Sequence, residues 1–303
     1  MTNPVGPSGK GRRRIWIAAA SVGGIVVATT AVGAVQLNGK AEPSAAGSKA
    51  VAPAAGNAPT AEAAGIALPR VKWKVSWHDE FRGRGKPSKY WRPVTGNGTN
   101  GWSHKALHYY RAGNAAQDGK GRLLITAAKT GPKDKLRCWN GRCKYTSSRI
   151  QTSGTFKQAY GRFAIRAKLP TGKGVWPAFW MQRAAKPYGE IDVVETIGSK
   201  PNLVQGYAHQ TRRVGGGTKL MPRSLAAGYH TYGVDWTPYR VVWWVDGHPY
   251  AQLKRYKGWV FNSPFYLILN VQVGGQWPGT PTRATRFPAR MAVDWVRVYK
   301  ATK

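Results

Sequence analysis

The sequence predicts an all-β domain, two antiparallel sheets packed as a jelly-roll β-sandwich, with a concave cleft on one face. Three observations predict it. Apolar and polar side chains alternate with period two in several runs, as strands with one buried face require. The chain carries 14 Trp and 14 Tyr, rings that fit a pleated, half-buried surface. Gly and Pro, 37 and 20 in number, interrupt the runs roughly every 8 to 15 residues, the spacing of short strands joined by turns. No stretch from residue 69 onward places its apolar residues at helical spacing, and no internal repeat is visible.

The domain does not begin at the first residue. Residues 1–14 are polar and basic, with Lys10, Arg12, Arg13 and Arg14, and Ile15 to Leu37 follows without a charge. A basic region before an apolar one is the layout of a secretory signal, and the apolar run also reaches the roughly 20 residues that cross a bilayer. Residues 1–40 are therefore expected to be a signal peptide, with Val32-Gly33-Ala34 at its cleavage site, or an uncleaved membrane anchor. In both cases the arginines stay on the cytoplasmic side and the rest of the chain is extracellular: secreted, membrane-anchored or cell-wall-associated. Residues 41–68, rich in Ala, Pro, Gly and Ser, bury too little to offset the cost of ordering and are expected to be a flexible linker. The domain is then 69–303, with a monomer expected.

Within it, Val71, Trp73, Val75 and Trp77 alternate with Lys72, Lys74 and Ser76, which predicts a first strand with those four on one face. Cys138-Trp139-Asn140-Gly141-Arg142-Cys143 holds the chain's two cysteines around Asn-Gly, a type I′ turn signal. A two-residue loop there would set Trp139 opposite Arg142. It would also bring Cys138 and Cys143 face to face, about 4.5 Å between Cα atoms, within reach of a disulfide. A zinc site would need two further ligands, which the neighbourhood lacks. Phe163, Ile165, Ala167 and Leu169 alternate with Arg162, Arg166 and Lys168. Near the end Met291, Val293 and Trp295 take one face and Ala292, Asp294 and Val296 the other. Both faces are mostly apolar, so this strand is expected to be covered on both sides.

Three of the chain's 12 acidic residues fall within six positions, in Gly189-Glu190-Ile191-Asp192-Val193-Val194-Glu195. On a regular strand Glu190 and Asp192 share a face and Glu195 points to the other. One extra residue restores all three to one face, so a bulge is expected at Val193-Val194. Paired carboxylates across a sugar bond are the working parts of a retaining glycosidase. In that chemistry Glu190 is the nucleophile, Glu195 the acid/base, and Asp192 holds the nucleophile by a shared proton or hydrogen bond. Crowded carboxylates cannot all ionise easily, and the resulting rise in pKa suits an acid near neutral pH. An exposed acidic strand or a cation site is the other reading of the bare spacing. Trp176, Trp180 and Trp277 are expected in the cleft, where indole faces stack on pyranose rings. Trp73, Trp236, Trp243 and Trp295 lie inside strand patterns and are expected to pack.

The acidic run resembles the active-site strand of glycoside hydrolase family 16 in its laminarinase-like, bulged form. Further segments resemble the family's landmarks in the same order: Trp77-His78-Asp79-Glu80-Phe81, Trp176-Pro177-Ala178-Phe179-Trp180, His230 to Pro238, Val245-Asp246-Gly247, Asn270 to Gly279, and Val293-Asp294-Trp295-Val296-Arg297-Val298-Tyr299. The resemblance covers residues 70–300. It implies a concanavalin A-like jelly roll, retaining endo-hydrolysis of a β-1,3- or β-1,3-1,4-glucan, and the three carboxylate roles already given. It also places His209 and Gln276 beside the tryptophans as substrate-binding residues, although a strand histidine with a local hydrogen bond reads the same way. No cofactor is implied for the chemistry. A structural calcium is implied on the convex face, with Glu80 and Asp294 as its side-chain ligands. One departure concerns the sugar. An Asn-Asn-Glu-Leu-Gln-Tyr-Tyr-like segment of the family reads His104-Lys105-Ala106-Leu107-His108-Tyr109-Tyr110 here, which removes a carboxylate and is expected to bring positive charge to the cleft.

From residue 69 onward there are 41 basic and 10 acidic side chains, net +31. Such a field concentrates anionic polymers, so association with acidic cell-wall polymers, or hydrolysis of a galactan or of a sulfated or cell-wall glycan, stands beside the glucan reading. Nucleic acid would bind only nonspecifically, since no recognition motif is present. Membrane contact is expected only through an uncleaved N-terminal segment. A transglycosylase and a non-catalytic glycan-binding protein are the remaining classes.

Overall fold

The computed structural model describes residues 65–302, so the expected export segment and the linker up to residue 64 lie outside the described residues. Two sheets form the domain. The sheet that carries the acidic run has seven strands, in the spatial order Arg213–Leu220, Leu203–His209, Glu190–Glu195, Val175–Arg183, Phe265–Val273, Arg149–Gln151 and Arg92–Val94. The outer sheet runs His248–Lys254, Arg240–Val245, His230–Trp236, Gly161–Lys168, Ala289–Ala301, Leu123–Lys129, Ala115–Asp118 and Arg84–Gly85, with Trp73–Asp79 also paired to the long Ala289–Ala301 strand. Pairing is antiparallel except between His108–Tyr110 and Tyr145–Ser147. Among the described residues the helical turns are Gly101–Lys105 and Ala112–Asn114, both too short to form a layer.

Alternation builds the core, as expected of two sheets packed face to face. Phe179, Met181, Ile191, Val194, Leu267, Leu269 and Val271 of the site-bearing sheet meet Phe163, Ile165, Tyr232, Val234, Trp236, Trp243, Met291 and Val293 of the outer one. The 163–169 pattern is realised as expected, with Phe163, Ile165, Ala167 and Leu169 buried.

Two strands depart from the sequence pattern for the same physical reason. In the first strand the register slips between Val75 and Trp77. Ser76 is the extra residue, its Oγ donating to Gln158 Oε1 and Val298 O. The bulge reverses the phase, so Trp77 enters the core while Val75 stays 45% exposed. In the last strand Arg166 faces Trp295 and Ala167 faces Val293, which leaves Asp294 bulged. Met291 and Val293 therefore point inward before the bulge, Val296 and Val298 after it. The two mixed faces seen in sequence are one core face that changes parity; the strand is not covered on both sides. Trp295 lies outside, under the Arg297 guanidinium at 4.3 Å. Trp73 lies outside under Arg162 at 5.3 Å. Trp236 and Trp243 are fully buried, as expected.

Cys138 and Cys143 form the expected disulfide, with 4.9 Å between Cα atoms. The hairpin register differs from the one the Asn-Gly signal predicts. Cys138 pairs with Gly141 and Arg137 with Arg142, so the loop is Trp139-Asn140 and the bridge reaches diagonally. Gly141, at φ 117°, takes a strand position that a side chain would not adopt easily. Trp139 is drawn away from a strand role because its indole N–H donates to Ala106 O and its main-chain N–H to Asn97 Oδ1.

One interlayer contact fixes the strand that carries the acidic run. The Trp243 indole donates to the carbonyl of Asp192 at 2.8 Å, inside the core. It passes beneath Gly206, where a Cβ would lie 2.3 Å from the indole Cδ1. Trp243→Phe removes the donor and leaves a buried carbonyl unpaired, at a cost of about 1–3 kcal/mol. The expected result is a lower urea midpoint together with a lower kcat, checked by denaturation and initial rates on the same sample.

Candidate active site

The bulge lies where the carboxylate spacing places it. Phe179 pairs with Val194 and Trp180 with Asp192, so Val193 is the extra residue. On the other side Ile191 faces Ala208 and Glu195 faces Gln205, again with one residue in excess. Glu190, Asp192 and Glu195 consequently share the cleft face, while Ile191, Val193 and Val194 are buried in the core. Cross-strand rows arrange the floor. Tyr266, Gln182, Glu190 and His209 are successive register partners, as are Asn270, Ala178, Glu195 and Gln205.

Each carboxylate has a different set of partners. Tyr188 Oη donates to Glu190 Oε2. His209 Nε2 lies 3.0 Å from Asp192 Oδ2. The Trp176 indole donates to Glu195 Oε2 at 3.2 Å. Burial raises the pKa of Glu195 well above the carboxylate range, and the charges of Asp192 and Glu190 raise it further. Asp192 is also raised well above its ordinary value, first by burial and then by Glu190. Glu190 is raised by burial, against which work the Tyr188 hydrogen bond and the charges of His209 and Arg149. Burial thus favours the protonated form of Glu195 and of Asp192, and Glu190 is the carboxylate with the most stabilising partners. The ligating atoms of Glu190, Asp192 and His209 lie within 4.8 Å of one another.

The cleft walls are aromatic. Trp176, Trp180 and Trp277 all line the cleft, as expected. Trp176 meets Trp277 edge-on at 4.6 Å and His104 edge-on at 5.3 Å. The Trp180 indole donates to Asn270 Oδ1 at 2.7 Å. Gln276 does not belong with them. It is exposed and outside the lining, with its main-chain N–H bonded to His104 O, while Gln272 lines the cleft instead. The strand ends at Val273, so Gln272 keeps the cleft-facing parity and Gln276 lies in the following turn.

The 104–110 segment does not bring positive charge to the cleft. His108 is fully buried; its Nδ1 accepts from Val273 N–H at 3.0 Å, and burial pushes its pKa down to about 4. Ala106 is buried, and Lys105 lies exposed outside the lining. Of the segment's basic residues His104 alone reaches the cleft, beside Tyr110, and desolvation lowers its pKa. The cationic side chains in the lining are Arg149 and Arg213, which sequence reasoning missed. Arg149 lies between the rings of Trp102 and Trp180 at 5.1 and 4.8 Å, and Arg213 lies 4.6 Å over Tyr207. Nothing local in sequence distinguishes them from the other basic residues. Tyr188 and Tyr207 were also missed, although each lies two residues from a singled-out acid or histidine.

The implied calcium pair does not fit a cation. Both oxygens of Glu80 accept from Arg297, at 2.9 and 3.0 Å, and His78 Nδ1 lies 3.3 Å away. Arg297 is also the main cause of Glu80's lowered pKa. Asp294 accepts from Arg166. Each carboxylate is already paired, and an incoming ion would have to displace a guanidinium. Two other landmark acids are structural. Asp235 holds Arg162 with two bonds and accepts from the Trp244 indole, and Asp79 accepts from Phe81 N, Ser88 Oγ and Trp91 Nε1.

A two-sheet sandwich whose cleft floor carries carboxylates of unequal proton affinity between indole walls defines a glycoside hydrolase. The chain belongs to glycosyl hydrolases family 16, whose family model matches residues 104–297. It is 36% identical over 256 residues to the β-glucanase of Rhodothermus marinus, across 75% of this chain and 85% of that protein. The catalytic domain of an endo-1,3-β-glucanase (laminarinase) from Thermotoga petrophila superposes with a TM-score of 0.71 at 36% identity, covering 77% of this chain and all of that one. A more distant relative, the keratan-sulfate endo-1,4-β-galactosidase of Sphingobacterium multivorum, is 30% identical over 246 residues, 75% of this chain and 55% of that protein.

Proposed function

We propose that this domain is an endo-acting, retaining glycosidase that hydrolyses β-1,3-glucan or mixed β-1,3-1,4-glucan outside the cell. The observation that carries the reading is the Val193 bulge, which sets Glu190, Asp192 and Glu195 on one face. Glu190 attacks the anomeric carbon while Glu195 protonates the departing oxygen. Water then enters, Glu195 takes its proton, and the bond to Glu190 breaks with retention of configuration. Asp192, against His209, holds the proton balance beside the nucleophile. The glucan is favoured by the likeness to a β-glucanase and to a laminarinase. Export rests on the basic and apolar order of residues 1–37.

A second substrate reading is an anionic glycan. It rests on Arg149 and Arg213 in the lining, neither of which pairs with a carboxylate among the described residues, on the net +31, and on the likeness to an enzyme named for keratan sulfate. The same charge supports retention on acidic wall polymers. A panel of laminarin, mixed-linkage glucan, agarose-type galactan and sulfated glycans, scored for new reducing ends and product size, separates these. Short oligosaccharides from the first two at rates little changed by salt are expected. Longer products would mean transglycosylation, and binding without cleavage would mean a lectin.

A further inference from the structure

We infer that Tyr188 is a positioning residue for the nucleophile, holding Glu190 Oε2 by its phenol and stabilising the charge that returns to Glu190 when the glycosyl-enzyme breaks down. The inference rests on the role given to Glu190 above. Tyr188 lies outside every strand, in the turn after Val175–Arg183, and that turn is held in place. Arg183 Nη1 donates to Pro187 O at 3.0 Å, Arg183 Nε donates to Ser263 Oγ at 2.6 Å, and Arg183 N–H donates to Gly189 O at 2.8 Å. From this clamp the Tyr188 phenol reaches Glu190, and its ring, 42% exposed, forms part of the cleft lining.

The phenol stays protonated, because burial and the Glu190 charge both raise its pKa. It is therefore a fixed donor. A phenol donates more strongly to a carboxylate than to an ester. In the first half-reaction the Glu190 carboxylate becomes an ester of the sugar and the hydrogen bond weakens. In the second, water adds to the anomeric carbon, its proton passes to Glu195, and the bond to Glu190 breaks with its electron pair returning to the carboxylate. The phenol stabilises that returning charge, so it favours the second step. It also favours ionised Glu190 in the free enzyme. The other titratable groups facing Glu190 are Asp192 on its own strand, Glu195 beyond the bulge, His209 on the neighbouring strand, Arg149, and Tyr266 on Phe265–Val273. Among the groups acting on Glu190, the Tyr188 bond is the strongest opponent of its desolvation.

The test is Tyr188→Phe, a change at a half-exposed ring that keeps its shape. With laminarin, the acidic limb of kcat/KM is expected to move up by about one pH unit, the size of one hydrogen bond to a charged group. With 2,4-dinitrophenyl β-laminaribioside at the pH plateau, kcat is expected to fall roughly tenfold with KM falling alongside, as the covalent intermediate accumulates. A merely structural role would lower Tm and leave both readouts in place, and that outcome overturns the inference. A Glu190→Gly protein assayed with azide separates the two layers. Formation of the α-glycosyl azide supports Glu190 as nucleophile independently of Tyr188, and its absence overturns that role and the Tyr188 inference with it.

Discussion

Glu190→Gln is expected to lower kcat on polysaccharide by roughly 10⁴-fold or more, the scale for loss of an enzymic nucleophile. The side chain keeps its length and its place in the Tyr266–Gln182–Glu190–His209 row, so folding is expected to survive. An amide cannot form the glycosyl ester, and a good leaving group does not help it. Glu195→Gln is expected to behave differently. Its acid is needed only when the departing oxygen is a poor leaving group, so cleavage of polysaccharide falls while the first step on a dinitrophenyl glycoside remains fast. A burst of dinitrophenol from Glu195→Gln with none from Glu190→Gln is the expected pair of results. The opposite pattern would exchange the two roles.

Deletion of Val193 is expected to retain activity and to destabilise the domain by about 1.5–3 kcal/mol, the loss of one fully buried valine. Val193 fills the extra position against both neighbouring strands. Without it the separation of Glu190 and Glu195 falls from five to four, and strict alternation sets all three carboxylates on the cleft face with no bulge. A strand that kept a bulge after the deletion would instead turn Glu195 toward the core, away from the Trp176 indole. Regular alternation lowers the urea midpoint but keeps reducing-end formation, whereas a retained bulge removes activity as well. A stably folded deletion protein without reducing-end formation would mean that strand parity does not set the carboxylates.

The acidic run was legible because the arithmetic of a strand is strict. An odd separation of five between Glu190 and Glu195 cannot serve one face without an extra residue, so position and parity together located the bulge. The same parity rule misled at Ser76 and Asp294, where bulges carry no comparable signal. Apolar residues on both sides of a bulge look like two covered faces in sequence, and only pairing with a neighbour reveals one face that switches. The Asn-Gly hairpin failed for a different reason. Trp139 and Asn97 made contacts across 42 positions, and a tertiary hydrogen bond outweighed a local turn preference. Glu80 and Asp294 were expected to hold calcium, yet Arg297 and Arg166 occupy them, partners that a count of carboxylates does not foresee. Arg149, Arg213 and Tyr207 come from strands separated in sequence from the acidic run, and they join the cleft through sheet order alone.

Retention through Glu190 is tested most directly by following laminarin hydrolysis by proton NMR from the first minute. The anomeric signal of the first reducing ends is expected to be β, with α appearing only as mutarotation proceeds. An α signal appearing first would mean single-step inversion, and would contradict a covalent intermediate on Glu190.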